Sequence, residues 1–180
     1  HGLLVGSYGD GIFQLKNGTF KVLDGAKFVD EESIKHVLSD HAGHVWLSTK
    51  LEGVFRIEAE KFMQLNTSNG LPLDNVSCVY EDNAHGIWIG TEGKGLIYFT
   101  GEAFVHFTTK SGLSSDLIIS SIVDKAGNKW FGTYANGVTR WSNNKWENFD
   151  LADGLSNSTI WSMAESADGS QSPRTGYQCR

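Results

Sequence analysis

The chain has 180 residues, including 21 glycines, six tryptophans and only two prolines, and a formal net charge of −6. Its basic residues are scattered, so no stripe of Lys and Arg is present to neutralise phosphates, which excludes a nucleic-acid partner. No apolar run approaches the roughly 18 residues needed to cross a bilayer, so membrane insertion by a helix is excluded as well.

In chain order the apolar segments are short and turn-bounded, as in an all-β protein. Residues 1–7, "HGLLVGS", read as a strand, and two more follow before residue 28. From residue 34 the pattern becomes regular, with four strands each in 34–65, 76–107 and 118–149. Residues 158–169 supply one further strand, of the kind that opens each unit. "SQSPRTGYQCR", 170–180, breaks the pattern and reads as a non-repeat tail. Cys78 lies in a strand segment and Cys179 in the tail, a count that rules out a disulfide framework.

The regularity has a period of 42 residues, without insertion or deletion. Gly11, Gly53, Gly95 and Gly137 share one column, and Ser7, Thr49, Thr91 and Thr133 another. Trp46, Trp88 and Trp130 form a third, with Asp40, Asp82 and Asp124 six residues before them. A fixed period in this range signals repeats that cannot bury their faces alone. Four-stranded antiparallel sheets packed face to face make a β-propeller, in which a tryptophan column fills the wedge between neighbouring sheets. The aspartates are expected to accept backbone N–H bonds in the first turn, and the glycines to supply positive φ in the second. Apolar pairs three apart, such as Phe104 with Phe107, predict a bulge or an early bend in the fourth strand.

The chain starts on a second strand and ends its repeats on a first strand. Residues 158–169 with 1–28 are therefore expected to form a composite closing blade beside three complete ones, giving a propeller over 1–169 with about four blades. The alternative is an open arc, which a homodimer would complete as a larger ring.

Two segments, "GLPLDNVSCVYEDNAHGIWIGTEGKGLIYF" and "GLSSDLIISSIVDKAGNKWFGTYANGVTRW", resemble the two-component regulator propeller repeat. The resemblance spans residues 1–169 and is most specific over Glu81–Thr91; Ser48 departs from the motif glycine and Leu4 from the tryptophan. It implies the sensor region of a hybrid histidine kinase: a non-catalytic, ligand-binding module in the periplasm or another extracytoplasmic space. The chain itself opens at His1 with no recognisable targeting signal. A small molecule or oligosaccharide is the implied ligand class, and no cofactor or metal is expected.

Propeller ligands commonly sit at a loop-lined mouth. The loop between the second and third strands carries the variable words: Tyr8 and Asp10, Lys50 and Glu52, Glu92 and Lys94, Tyr134 and Asn136. The tyrosines suit stacking on a sugar ring, and the carboxylates and amides suit its hydroxyls. Trp161, in a first-strand column with Lys35, Ser77 and Ile119, is a further stacking candidate. Solvated turn residues and a packed core tryptophan are the plainer readings of these positions. No catalytic constellation stands out: Asp10 and Glu92 are the only pair offered for glycosidase work, and His41 and His44 flank a turn glycine rather than a metal. The competing readings are a structural or oligomerisation scaffold, or a propeller enzyme of lyase or glycosidase type, since "G-x-x-W-x-G-T" also resembles streptogramin lyases.

Overall fold

A computed structural model describes residues 2–24, 26, 33–59, 61–166 and, for the backbone alone, 171–175. Contacts divide the chain into two compact units, His1–Val79 and Tyr80–Arg180.

Every described strand pairing is antiparallel. The N-terminal sheet holds β1 (Leu4–Gly6), β2 (Ile12–Lys16) and β3 (Thr19–Val22) in that order. The second holds β4 (Ile34–Ser39), β5 (Val45–Thr49), β6 (Val54–Glu58) and β7 (Lys61–Leu65). The third holds β8 (Val76–Glu81), β9 (Ile87–Thr91), β10 (Leu96–Phe99) and β11 (Phe104–Phe107). The fourth holds β12 (Ile118–Val123), β13 (Lys129–Thr133), β14 (Val138–Ser142) and β15 (Lys145–Phe149). The last three are up-and-down four-stranded sheets of propeller type, and the fold is all-β.

The last pair corrects the reading of the C-terminus. β16 (Ile160–Glu165) is bonded to β17 (Gln171–Thr175), so five residues of the expected tail take the place of a second strand. β17 lies four periods after Leu3–Ser7, and a backbone ladder needs no motif residues to form there. The composite sheet of 158–169 with 1–28 is thus not among the described sheets; the N-terminal sheet has three strands and β16–β17 two. Cys179 lies outside the described residues, and Cys78 is buried.

The bulge also falls elsewhere. β11 pairs with β10 in unbroken register, Phe104 opposite Phe99 and Phe107 opposite Leu96. Phe104 stacks on Phe99 at 4.9 Å, whereas Phe107 packs on Trp88 and Trp141. Both faces of the sheet are covered, so apolar residues need not alternate. The register shifts lie instead in first strands, between Ile34 and His36, Ile118 and Ser120, and Ile160 and Ser162. The extra residues are Lys35, Ile119 and Trp161, members of the variable column. A bulge residue is released from the ladder and its side chain is re-aimed, which frees its identity.

At one end of each four-stranded sheet the aspartate and tryptophan columns meet. The indole Nε1 donates to the carboxylate in all three: Trp46 to Asp40 at 2.8 Å, Trp88 to Asp82 at 3.0 Å and Trp130 to Asp124 at 2.8 Å. The other carboxylate oxygen accepts backbone N–H bonds of the turn, from Ala42 and His44, from Ala84 and Gly86, and from Asn128. Partial burial pushes the Asp40 and Asp124 carboxyls up, but the bonds from Trp46 and His44, and from Trp130 and Asn128, outweigh it and hold both below the ordinary value. The third sheet varies the theme. Where its siblings have His44 and Asn128, it has Gly86, and a Cβ there would meet the Tyr98 ring. The space lets the Tyr98 hydroxyl reach Asp82; burial first, then the charge of Asp82, raises the Tyr98 pKa.

Candidate functional site

The variable words lie at the opposite end, on the turns 7–11, 49–53, 91–95 and 133–137. Each turn is closed twice, by a backbone N–H and a hydroxyl on the same glycine carbonyl. Thr49, Thr91 and Thr133 Oγ1 donate to Gly53, Gly95 and Gly137 O at 3.0, 2.8 and 2.9 Å, and Ser7 Oγ to Gly11 O at 3.0 Å. The glycines have φ of 73–80°. A Cβ on Gly53, Gly95 or Gly137 would stand 2.1, 2.2 or 2.0 Å from the carbonyl oxygen at the end of the fourth strand, so only glycine fits. Their amides reach on to the next unit, donating to Asp74, Asp116 and Ser158 O at 3.0, 2.7 and 2.7 Å. The loop preceding each new first strand is thereby held against the preceding variable turn.

Within this frame the expected site residues stand outward. Tyr8 is 81% exposed and Tyr134 52%, and Asp10, Lys50, Glu52, Lys94 and Asn136 are exposed. Several also serve the frame. Glu52 accepts from Gln64 Nε2 on its carbonyl and its carboxylate, and Glu92 bridges Leu117. The Lys94 carbonyl meets His106 Nε2, and Tyr134 N–H donates to Leu117 O at 3.1 Å. Trp161 is 48% exposed on its bulge and is not a packed core residue.

One expected residue opens onto a groove. Asn136 borders an open depression of about 600 Å³ with Ser114, Asn148, Asp150, Leu151 and Ser158. Beneath it runs a polar chain with a fixed direction. Thr139 Oγ1 donates to Asn148 Oδ1 at 2.8 Å, so its contact with Ser114 Oγ, also 2.8 Å, is one in which Ser114 donates. Ser114 N–H donates to the same Thr139 oxygen. Asn148 Nδ2 donates to Gly112 O, and Asn136 Nδ2 to Ser114 O at 2.7 Å. Asp150 is locked by capping the turn Leu151–Asp153, where it accepts from Ala152 N–H at 2.7 Å. The groove is thus lined by amides and a carboxylate in set rotamers, and each amide nitrogen carries a second N–H.

Sequence reasoning named Asn136, which lines this groove, and did not name Ser114, Thr139 or Asn148, whose polar chain runs beneath it. The signal was a polar residue in an apolar column: Thr139, fully buried, follows Phe13, Phe55 and Ile97 at the same phase.

Residues 70–93 match the profile of the two component regulator propeller family. No curated protein sequence matches the chain significantly. Among solved structures, the chain is similar to the extracellular domains of two hybrid two component systems from B. thetaiotaomicron. One is 24% identical with a TM-score of 0.81, covering 91% of this chain and 23% of that one. The other is 17% identical with a TM-score of 0.70, covering 91% and 25%. It is also similar to a streptogramin B lyase, 14% identical with a TM-score of 0.70, over 91% of this chain and 54% of the lyase. The chain therefore spans about a quarter of the length of the two component extracellular domains it resembles.

Proposed function

The two component regulator propeller repeat carried at residues 70–93 is the premise from which we propose that this chain is a ligand-binding portion of an extracytoplasmic sensor. The observation that supports a ligand is the groove at Asn136. Its amides and carboxylate offer neutral and acceptor groups in fixed positions, which suits a polyhydroxylated molecule such as a segment of an oligosaccharide. Tyr134, two residues away on the same turn and half exposed, supplies a flat apolar surface for a sugar ring. Binding here requires no proton transfer, and the module acts by occupancy rather than turnover.

The test is calorimetric titration of the chain with a panel of neutral oligosaccharides, with the products checked for cleavage. The expected result is saturable binding that weakens at least tenfold in Asn136→Ala and in Tyr134→Ala, with the sugar recovered intact. Binding that ignores both substitutions would place the site elsewhere, and turnover would replace sensing with catalysis.

A further inference from the structure

The groove at Asn136 has an apolar wall, and comparison with the other repeats shows how it arises. After the second and third sheets, the loop that follows the fourth strand is clasped by a threonine and an aspartate. Thr67 N–H and Oγ1 donate to the two carboxylate oxygens of Asp74 at 2.7 and 2.8 Å. Thr109 N–H and Oγ1 donate to those of Asp116 at 2.6 and 3.3 Å. After the fourth sheet the same phases hold Leu151 and Ser158. Leucine has no hydroxyl and serine no carboxylate, so this clasp cannot form. Both residues line the groove instead.

The lost clasp leaves an apolar side chain facing water, since Leu151 is 57% exposed. Thr67 and Thr109 are exposed as well, although a further four-stranded sheet follows each of them, so the exposure belongs to the position in the repeat. Ala135 and Ala152 extend the wall, where the third repeat has Gly93 and Lys110. Ala135 holds its methyl there at a φ of 71°, a backbone conformation that disfavours any side chain. The remaining lining is polar, with Asn136, Asn148 and the Asp150 carboxylate among it.

We propose that this groove selects a neutral sugar bearing a methyl group, a 6-deoxyhexose or an N-acetylhexosamine, with the methyl on Leu151 and the ring hydroxyls on the amides. The inference rests on the sensor reading above and narrows its ligand. A methyl on Leu151 covers apolar surface on both partners. A hexose would set a hydroxyl there, which gives up water and finds no acceptor on a leucine. A uronic sugar would bring a second carboxylate to the groove that already holds Asp150, and like charges repel.

Saturation-transfer NMR of the chain with matched sugars tests this: D-fucose against D-galactose, L-rhamnose against L-mannose, and N-acetylglucosamine against glucose. In at least one pair the methyl-bearing member is expected to bind about fourfold more tightly, with its methyl protons taking the strongest saturation. The pair that responds tells a deoxy methyl from an acetyl one. Leu151→Thr, which installs the residue of the other repeats, is expected to erase the preference, so that both members of the pair bind alike. Equal affinity within every pair, or a preference that survives Leu151→Thr, overturns the proposal. Absence of transfer to any of the sugars overturns it too, and the oligosaccharide titration with Asn136→Ala then decides separately whether the sensor reading stands. Should Leu151→Thr fail to fold by circular dichroism, Leu151→Gln takes its place with the same expected result.

Discussion

The two ends of each four-stranded sheet are built from equally fixed parts and put to different use. At the Asp–Trp end, every conserved column is committed: the carboxylate holds the turn with one oxygen and the indole with the other, and the indole ring fills the interior. At the Thr–Gly end, the hydroxyl and the glycine close the turn between them, so the residues they enclose bear little of the load. The difference teaches that variability within a repeat follows from where the hydrogen bonds terminate. A turn closed by side chains at its first and last residue, with the residues between them bonded mostly through the backbone, leaves their side chains freer to differ, as Tyr134 and Asn136 differ from Lys50 and Glu52.

The sharpest way to break this contrast is to strike the committed end. Trp88→Ala removes a ring packed on Tyr98, Phe107, Phe131 and Trp146 and leaves Asp82 without its indole donor. A loss of about 3–5 kcal/mol is expected in urea unfolding. At the other end the same test must be aimed at the fastening residue. Gly95→Ala places a Cβ 2.2 Å from the Phe107 carbonyl oxygen at a φ of 77°, and a loss of about 3 kcal/mol is expected by the same measurement.

Acid should divide the two ends more gently. Asp40 and Asp124 have carboxyls held below the ordinary value in the folded chain, so the unfolded chain takes up their protons first as pH falls. Their contribution to stability is complete above the unfolded value, about 3.9, and is lost as pH drops below it toward the folded value. Thermal melts between neutral and acid pH are expected to fall along that limb, and Asp40→Asn to flatten it. Ser48 supplies a smaller contrast. It stands where the other sheets have Gly6, Gly90 and Gly132, its buried hydroxyl has no hydrogen-bond partner among the described residues, and it faces His36, whose Nδ1 has none either. Ser48→Ala is expected to stabilise the chain by about 1 kcal/mol in urea unfolding. Smallest of all, Tyr134→Ala is expected to change stability by less than about 0.5 kcal/mol, since its ring is half exposed, while weakening sugar binding.

Much of this architecture was legible in the sequence because a period of constant length repeats every turn requirement at the same phase. The glycine and aspartate columns each declared their duty through residue type. The indole–carboxylate bond was not legible. Both columns were visible, but their meeting depends on how the hairpin between them twists. The bulge was misplaced for a related reason: spacing of Phe104 and Phe107 looks irregular only if one face of the strand is wet. The actual bulge residues, Lys35, Ile119 and Trp161, share no chemistry, so no pattern marked them. At the candidate site, Asn136 was accessible from its turn, whereas Asn148 and Ser114 join it only through Thr139, a contact between segments far apart in the chain.

The amide of each closing glycine has a consequence for how such a protein can change. Gly53, Gly95 and Gly137 donate to a carbonyl 21 residues further on, from Asp74, Asp116 and Ser158. One residue added or lost in that interval would move the acceptor out of reach and leave a peptide N–H stranded, whatever side chains surround it. Duplication or excision of a whole 42-residue module preserves every such link. The gene is thereby constrained to lengthen or shorten in complete cassettes, a rule enforced by the main chain and indifferent to composition.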